Sequence, residues 1–300
     1  MTTFRYVSAK EFRQPMSQQE FIDKLRAIQQ RAVLTPDMMV KTTGFWAIEN
    51  LGATFVRHAR PGQTFNDPHL PIEVRPIAHC GMGVGAVEVS DFEPRRMIGL
   101  IESLSNPDYK MFGYENVGAM LGVYEPDLFT TMAKGFTLVG LLPIAPLHWP
   151  EPAGYLPAFE PEVRRLISHG YGRMVYFKGH SIARAIRTAA KAPAFDFGAC
   201  VQGIAFAYSM ANNSDLHRVW RAGETMAGEE EGRFFNDGLI FAMEFWEWMS
   251  PGTLDTFAPQ TAHAAGLIAA ARQGVALGRA RGALPAFAVD PEAQACRRSL

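Results

Sequence analysis

The sequence predicts an α+β protein, mainly helical, in which two similar β-α-α units surround a shared core. Residues 81–127 show, in order, a glycine-rich turn, a short apolar strand, an amphipathic helix, a break and a helix of small residues. A similar order returns in residues 170–212. Two interpretations stay open from the sequence: an internal duplication, or one irregular α+β core whose glycines recur by chance.

The first unit contains a predicted strand at residues 86–89 and two predicted helices at residues 93–104 and 112–124. Apolar residues recur at helical spacing in the earlier helix. In the later helix, Gly118 and Gly122 lie one turn apart on the same face. Such a face allows a neighbouring helix to approach closely.

The second unit is predicted to contain a turn and strand at residues 170–179, a helix at 181–190 and a small-residue helix from residue 197. Aligning the two units places His169 and His180 opposite Cys80 and Asp91. Differences of this kind indicate where one copy gained a site while the other kept a structural role. Half-exposed turn histidines are the simpler interpretation.

The chain is predicted to divide into two regions. Residues 1–75 form N-terminal helices and a loop-rich lead-in with a short edge strand at 72–76, and residues 76–300 form the duplicated core with C-terminal helices. Further predicted helices span residues 21–33, 35–51, 160–167, 216–221, 232–249 and 261–282. The apolar, proline-rich run at residues 136–149 is expected to be a buried crossover or the wall of an apolar cavity.

Composition excludes several classes of function. The net charge is −1 and the basic residues are dispersed, so nothing favours nucleic-acid binding. The three cysteines are widely spaced, which argues against a disulfide framework and a cysteine zinc site, and Cys80 and Cys200 are expected to be small buried side chains. No apolar run is long enough to span a bilayer, and a cytoplasmic location is expected.

Metal and cofactor signals are weak. His58, His69 and His79 lie in one region, but their spacing fits neither a helix face nor a strand pair. We therefore expect ordinary loop histidines, no metal and no cofactor. The glycine turn has the wrong spacing and order for dinucleotide binding, and the usual hydrolase, zinc-peptidase, diiron and NTPase motifs are missing from the sequence.

Polar residues inside apolar helices are the remaining candidates for chemistry. Glu115 and Asn116 lie beside the small-residue face, and Asp237 lies in a run of apolar residues. A buried carboxylate there is expected to have a raised pKa and to donate or accept protons. The structural alternative is that these residues cap neighbouring elements.

Three segments, residues 112–124, 169–179 and 197–208, together resemble a family of uncharacterised proteins encoded in enediyne polyketide gene clusters. The family shares a phenylalanine-tyrosine-glutamate-glycine helix, a glycine-leucine-glycine-arginine segment and a glycine-rich helix that ends in tyrosine. The resemblance covers roughly residues 80–250, and here Asn116 stands where the family has glycine. It implies a role in bacterial secondary metabolism, although no catalytic residues are known to carry over.

The resulting hypothesis is a protein that binds or modifies a long unsaturated polyketide or polyene chain. The alternative is a non-catalytic assembly subunit that works through protein contacts, either in a homo-oligomer or with a biosynthetic partner. The sequence does not decide whether the protein is an enzyme. The predicted catalytic residues are Glu115, His169, His180 and Asp237, and the predicted ligand-binding residues are Tyr114, Asn116, Arg173 and Tyr208.

Overall fold

The computed structural model describes residues 38–60, 62–65, 71–125, 150–213 and 215–284, with side chains from residue 48 onward. Helices dominate these residues, and the only β-type contact among them is an isolated bridge between Phe65 and Ser105. The helices are α1 Met38–His58, α2 Arg75–Ser90, α3 Pro94–Leu104, α4 Lys110–Tyr124, α5 Pro152–Tyr155, α6 Pro161–Gly179, α7 Ile182–Ala189, α8 Phe197–Ala211, α9 Leu216–Met226, α10 Gly232–Met249 and α11 Ala262–Arg281.

The predicted β-strands are wrong. Residues 86–89 lie inside α2, residues 170–179 lie in α6, and the predicted edge strand at 72–76 leads into the start of α2. Closely spaced glycines weaken an isolated helix, so they are typical of a turn. In this structure the glycines lie inside helices, at positions where the backbone of a neighbouring helix packs against them. A Cβ added at Gly81, for example, would lie 1.7 Å from the Glu49 carbonyl oxygen. Tertiary packing therefore overrides the local preference.

Most of the predicted helices are confirmed. The structure places α3, α4, α7, α8, α9, α10 and α11 where periodicity and capping indicated helices. The predicted helix at 35–51 continues to His58, because Gly52 packs against α2, where a Cβ would lie 1.9 Å from the Ala78 carbonyl oxygen. The predictions for residues 21–33 and 136–149 lie outside the described residues.

The long helices lie side by side in the order α1, α2, α4, α6, α8, α10, α11. Each neighbouring pair runs in the same direction, because contacting positions rise together along both helices. The pairs that show this are Glu49–Gly81 and Arg57–Glu88, His79–Gly113 and the charge interaction of Glu88 with Tyr124, Glu115–Gly170 and Gly122–Met174, Ser168–Asp196 and Tyr176–Tyr208, Gly198–Phe234 and Gln202–Gly238, and Glu244–Gly274 and Trp248–Arg279.

Parallel neighbours require the chain to return between them, and the short helices α3, α7 and α9 do this. Each is amphipathic and buries one narrow face; α3, for example, buries Met97, Ile101 and Leu104. Short surface helices therefore connect α2 to α4, α6 to α8 and α8 to α10. The two segments predicted to be β-α-α units are therefore units of three helices. In each, the first helix is followed by a residue in the left-handed conformation, Asp91 in one and His180 in the other.

The helix pairs α1–α2 and α4–α6 share one packing register. A Cβ added at Gly52 would lie 1.9 Å from a carbonyl oxygen of α2, and a Cβ added at Gly118 would lie 1.7 Å from a carbonyl oxygen of α6. On the opposite helix of each pair, a Cβ added at Gly81 would lie 1.7 Å from the Glu49 carbonyl oxygen. A Cβ added at Gly170 would lie 1.8 Å from the Glu115 carbonyl oxygen. The same five-residue pattern, Glu-Asn-x-Gly-Ala, occupies residues 49–53 and 115–119. Glu49 and Glu115 are therefore structurally equivalent.

His79 has a structural role in the core. Its Nδ1 donates a hydrogen bond to the Arg75 carbonyl oxygen at 2.7 Å, and its Nε2 accepts one from the Asn106 N–H at 3.1 Å. Burial lowers the pKa of His79 to about 4. Both ring nitrogens are occupied by backbone groups, so His79 is neither a loop histidine nor available to a metal.

We expect acid to destabilise the fold through His79. The unfolded chain binds a proton at this residue near pH 6.5 and the folded protein only near pH 4, so stability falls as pH drops through that window. Between pH 7 and pH 5 the loss from His79 is about 2 kcal/mol. Urea unfolding of the native protein and of His79→Gln at both pH values measures it, since the variant lacks this contribution. An equal pH dependence in the two proteins would contradict the account.

Candidate functional site

A group of polar side chains lies between the long helices where these pack most closely. Glu49 comes from α1, Glu115 and Asn116 from α4, and His169 and Arg173 from α6. We call these five residues the polar cluster. Glu115, Asn116 and His169 are buried in a core whose residues are mostly apolar. Ionisable side chains are rarely placed there unless they are paired.

The Glu115 carboxylate is the centre of the polar cluster. Its Oε1 lies 3.0 Å from His169 Nδ1, and its Oε2 lies 3.3 Å from an Arg173 guanidinium nitrogen. His169 and Arg173 are four residues apart on α6, so both project from one helix face toward α4. The two oxygens of one carboxylate thus join two different basic groups.

Asn116 connects this centre to the first helix pair. Its Oδ1 accepts a hydrogen bond from Arg173. Its Nδ2 donates to Glu49 Oε1 at 2.5 Å and to the Cys80 carbonyl oxygen at 2.7 Å. The amide therefore has acceptors and a donor on three neighbouring helices, and it orders Glu49 relative to Arg173.

Two carboxyl groups in the polar cluster are shifted in opposite directions. Burial would raise the pKa of Glu115, but the Arg173 charge and the His169 hydrogen bond outweigh it, so this pKa is lowered. Burial raises the pKa of Glu49 despite Arg173 and Asn116, and the Glu115 charge adds to the rise. The pKa of Arg173 is raised, because Glu115 and Glu49 outweigh its burial. Separated carboxyl pKa values are typical of acid–base pairs.

The expectation of a raised pKa at Glu115 is therefore wrong. The reason is the basic partners on α6, whose proximity the sequence did not predict. The carboxyl group suited to hold a proton is Glu49, which the sequence analysis missed. The repeated Glu-Asn-x-Gly-Ala pattern at residues 49–53 and 115–119 is the signal that could have identified it.

An aromatic group forms the far side of the polar cluster. The His169 ring lies edge-on to Phe206, with centroids 5.7 Å apart, and to Phe241, at 5.8 Å. Phe245 contacts Phe206 with centroids 5.6 Å apart. His169 therefore has a carboxylate on one side and apolar aromatic rings on the other.

The polar cluster reaches solvent through its α1 side. The Arg173 side chain is 13% exposed and Glu49 is half-buried, whereas His169 is almost completely covered. Arg173 could hold an anionic oxygen, and Glu49 could supply a proton beside it. The described part of the chain contains no group of three metal-binding side chains.

The other predicted site residues lie in separate contacts. Tyr114 donates to Glu102 Oε1 at 2.9 Å on α3. Tyr208 donates to the Arg218 carbonyl oxygen at 3.5 Å. Asp237 Oδ2 accepts a hydrogen bond from Gln202 at 3.5 Å, between α8 and α10.

His180 ends α6 in a left-handed conformation. The structure thus brings together four of the eight predicted site residues, which are Glu115, Asn116, His169 and Arg173. The buried role expected for the two cysteines is confirmed, since Cys80 and Cys200 are both buried and burial raises the pKa of each thiol.

Comparison with known proteins found no match to this chain among family models, curated proteins or solved structures. Across the described ranges, no helix is long and apolar enough to cross a membrane.

Proposed function

We propose that this protein acts in the cytoplasm in bacterial secondary metabolism, where it binds or modifies a long unsaturated polyketide or polyene chain. The observation that carries the proposal is the polar cluster, in which Glu115 pairs with His169 and Arg173 and the buried His169 packs against the Phe206 and Phe241 rings. The resemblance to proteins of enediyne gene clusters suggests the class of ligand.

The polar cluster supports a role in ligand binding because its contribution to the stability of the fold does not explain why it is present. A buried ion pair is often no more stabilising than apolar residues of the same volume. An apolar aromatic wall accommodates a conjugated chain, and Arg173 and Glu49 can meet a carbonyl or carboxylate group of that chain. Proton transfer by Glu49 or His169 would then modify the chain, whereas binding alone would protect it.

Native mass spectrometry of the protein purified from its own host, followed by denaturation and extraction, tests the proposal. We expect a conjugated lipophilic compound in the extract. An empty protein, or an empty protein held in a defined heteromeric complex, would contradict the proposal, and the complex would support the assembly alternative.

Variants separate modification from storage. Glu115→Gln and Glu49→Gln keep the side-chain shape and remove the ionisable carboxyl group. If the polar cluster modifies the chain, these variants accumulate an altered compound, which mass spectrometry distinguishes from the native one. If it only stores the chain, the compound is unchanged and its amount falls. The matched control is Glu162→Gln, an exposed residue in the first turn of α6, which is expected to change neither.

A further inference from the structure

A second group of reactive side chains lies at the end of the helix layer, outside the polar cluster. Because α4 and α6 run in the same direction, their C-terminal ends are neighbours. Glu125 follows the last residue of α4, and Lys178 lies in the last turn of α6. Tyr171 stands two turns before Lys178 on the same side of α6.

Tyr171 fixes the Glu125 carboxylate. Its hydroxyl lies 3.1 Å from each carboxylate oxygen, and its ring stacks on Phe195 with centroids 3.9 Å apart and an interplanar angle of 6°. The Tyr171 ring is therefore locked on one side by packing and on the other by the carboxylate. Glu125 is thus fixed at the end of α4, and its charge acts on Lys178 at the end of α6.

The Lys178 amine is in an unusual environment. Its Nζ is shielded from solvent and has no hydrogen-bond partner among the residues that the structure describes. Burial lowers the pKa of Lys178 to about 8, although the Glu125 charge opposes this shift. At pH 7.5 its neutral fraction is on the order of a hundredfold larger than that of an ordinary lysine. A desolvated neutral amine is a nucleophile toward carbonyl groups.

We propose that Lys178 is a carbonyl-capture site that forms an imine with an aldehyde or ketone. The Nζ lone pair adds to the carbonyl carbon, and the carbonyl oxygen takes up a proton. The resulting carbinolamine loses that oxygen as water, which leaves the C=N bond. No oxidant or reductant is needed. Glu125 carries the transferred protons, and Tyr171 is a positioning residue that orients Glu125.

This site is independent of the proposed function, because none of its residues belongs to the polar cluster. The two can therefore fail separately. A protein that binds no polyene could still capture a carbonyl compound, and a polyene-binding protein could lack a reactive lysine.

The test uses the full-length native protein with octanal and sodium cyanoborohydride, which traps an imine as a stable secondary amine. Peptide mapping by mass spectrometry then gives the labelling rate of each lysine. We expect Lys178 to react at least tenfold faster than the exposed Lys191, with a half-maximal rate near pH 8. Lys110, which is paired with Glu102, is a second internal reference.

Variants assign the neighbouring roles. Glu125→Gln is expected to slow labelling of Lys178 and to change its pH profile, and Tyr171→Phe to slow it with less change in that profile. Because the first measurement is made on the native protein, misfolding of a variant cannot hide the answer. Labelling of Lys178 no faster than that of Lys191, or with the pH profile of an ordinary lysine, would overturn the proposal.

Discussion

Replacing Arg173 with methionine is expected to lower the free energy of unfolding by about 3–5 kcal/mol. The substitution keeps most of the side-chain volume and removes the positive charge. It leaves the buried Glu115 carboxylate with His169 alone and removes the donor to Asn116 Oδ1. An uncompensated buried charge is expensive, so the effect exceeds the loss of one hydrogen bond. Urea unfolding at pH 7 measures it.

A triple variant, Glu115→Leu with His169→Leu and Arg173→Met, is the control for this interpretation. It removes the ionisable groups of Glu115, His169 and Arg173 together and is expected to regain most of the stability that Arg173→Met loses, because apolar side chains fill the same space without desolvation. If Arg173→Met costs less than about 1 kcal/mol, Arg173 does not compensate a buried charge, and the described electrostatics are wrong.

Replacing Gly170 with alanine is expected to prevent α4 and α6 from packing at their present distance. The added Cβ would lie 1.8 Å from the Glu115 carbonyl oxygen and 2.8 Å from the Ala119 nitrogen. Both atoms belong to a helix backbone, so no side-chain rotation can relieve the clash. Overpacking usually costs about 1–3 kcal/mol, and we expect a loss at or above that range or an insoluble protein. Thermal unfolding and the soluble yield measure it.

Gly99 provides the matched control. It lies in the middle of α3, is exposed, and has nothing within 4 Å of an added Cβ. Gly99→Ala is therefore expected to raise the stability by about 0.5–1 kcal/mol, through the helix preference of alanine. If Gly170→Ala were as stable as the native protein, the close packing of α4 and α6 would be incorrect.

The sequence predicted the positions of the later helices well, because the signals that begin and end these helices lie in the helix sequences themselves. Asp196 and Thr261 cap α8 and α11 with side-chain hydrogen bonds to backbone N–H groups, and Pro94 begins α3. The glycines of α2 and α6 misled the prediction for a physical reason. Each of these glycines lets the backbone of a neighbouring helix approach closely. The local sequence does not show which helix that neighbour is.

The candidate site shows the same division. Glu115, Asn116, His169 and Arg173 could be selected as polar residues among apolar ones. That criterion does not select Glu49, whose only sequence signal is the repeated Glu-Asn-x-Gly-Ala pattern and whose role depends on the contact with Asn116 between α1 and α4. The direction of the pKa shift at Glu115 likewise depends on distances to α6 that the sequence does not contain.

The shared register of the two helix pairs explains why two equivalent carboxyl groups differ. The alignment that matches Gly81 with Gly170 also matches Cys80 with His169 and Val84 with Arg173. The α1–α2 pair therefore offers no basic side chain at these positions, whereas the α4–α6 pair offers two. Glu115 is ionised by its own helix pair, while Glu49 borders the polar cluster through Asn116. The polar cluster thus contains one carboxyl group whose pKa is lowered, Glu115, and one whose pKa is raised, Glu49.

The most direct test of the central claim is the amount of conjugated compound that the triple variant retains when it is purified from the native host. The claim is that the polar cluster exists to hold a ligand rather than to stabilise the fold. Absorbance of the organic extract, per mole of folded protein, gives the amount bound. We predict that the native protein carries the compound and that the folded triple variant carries almost none. A triple variant that retains as much compound as the native protein would contradict the claim.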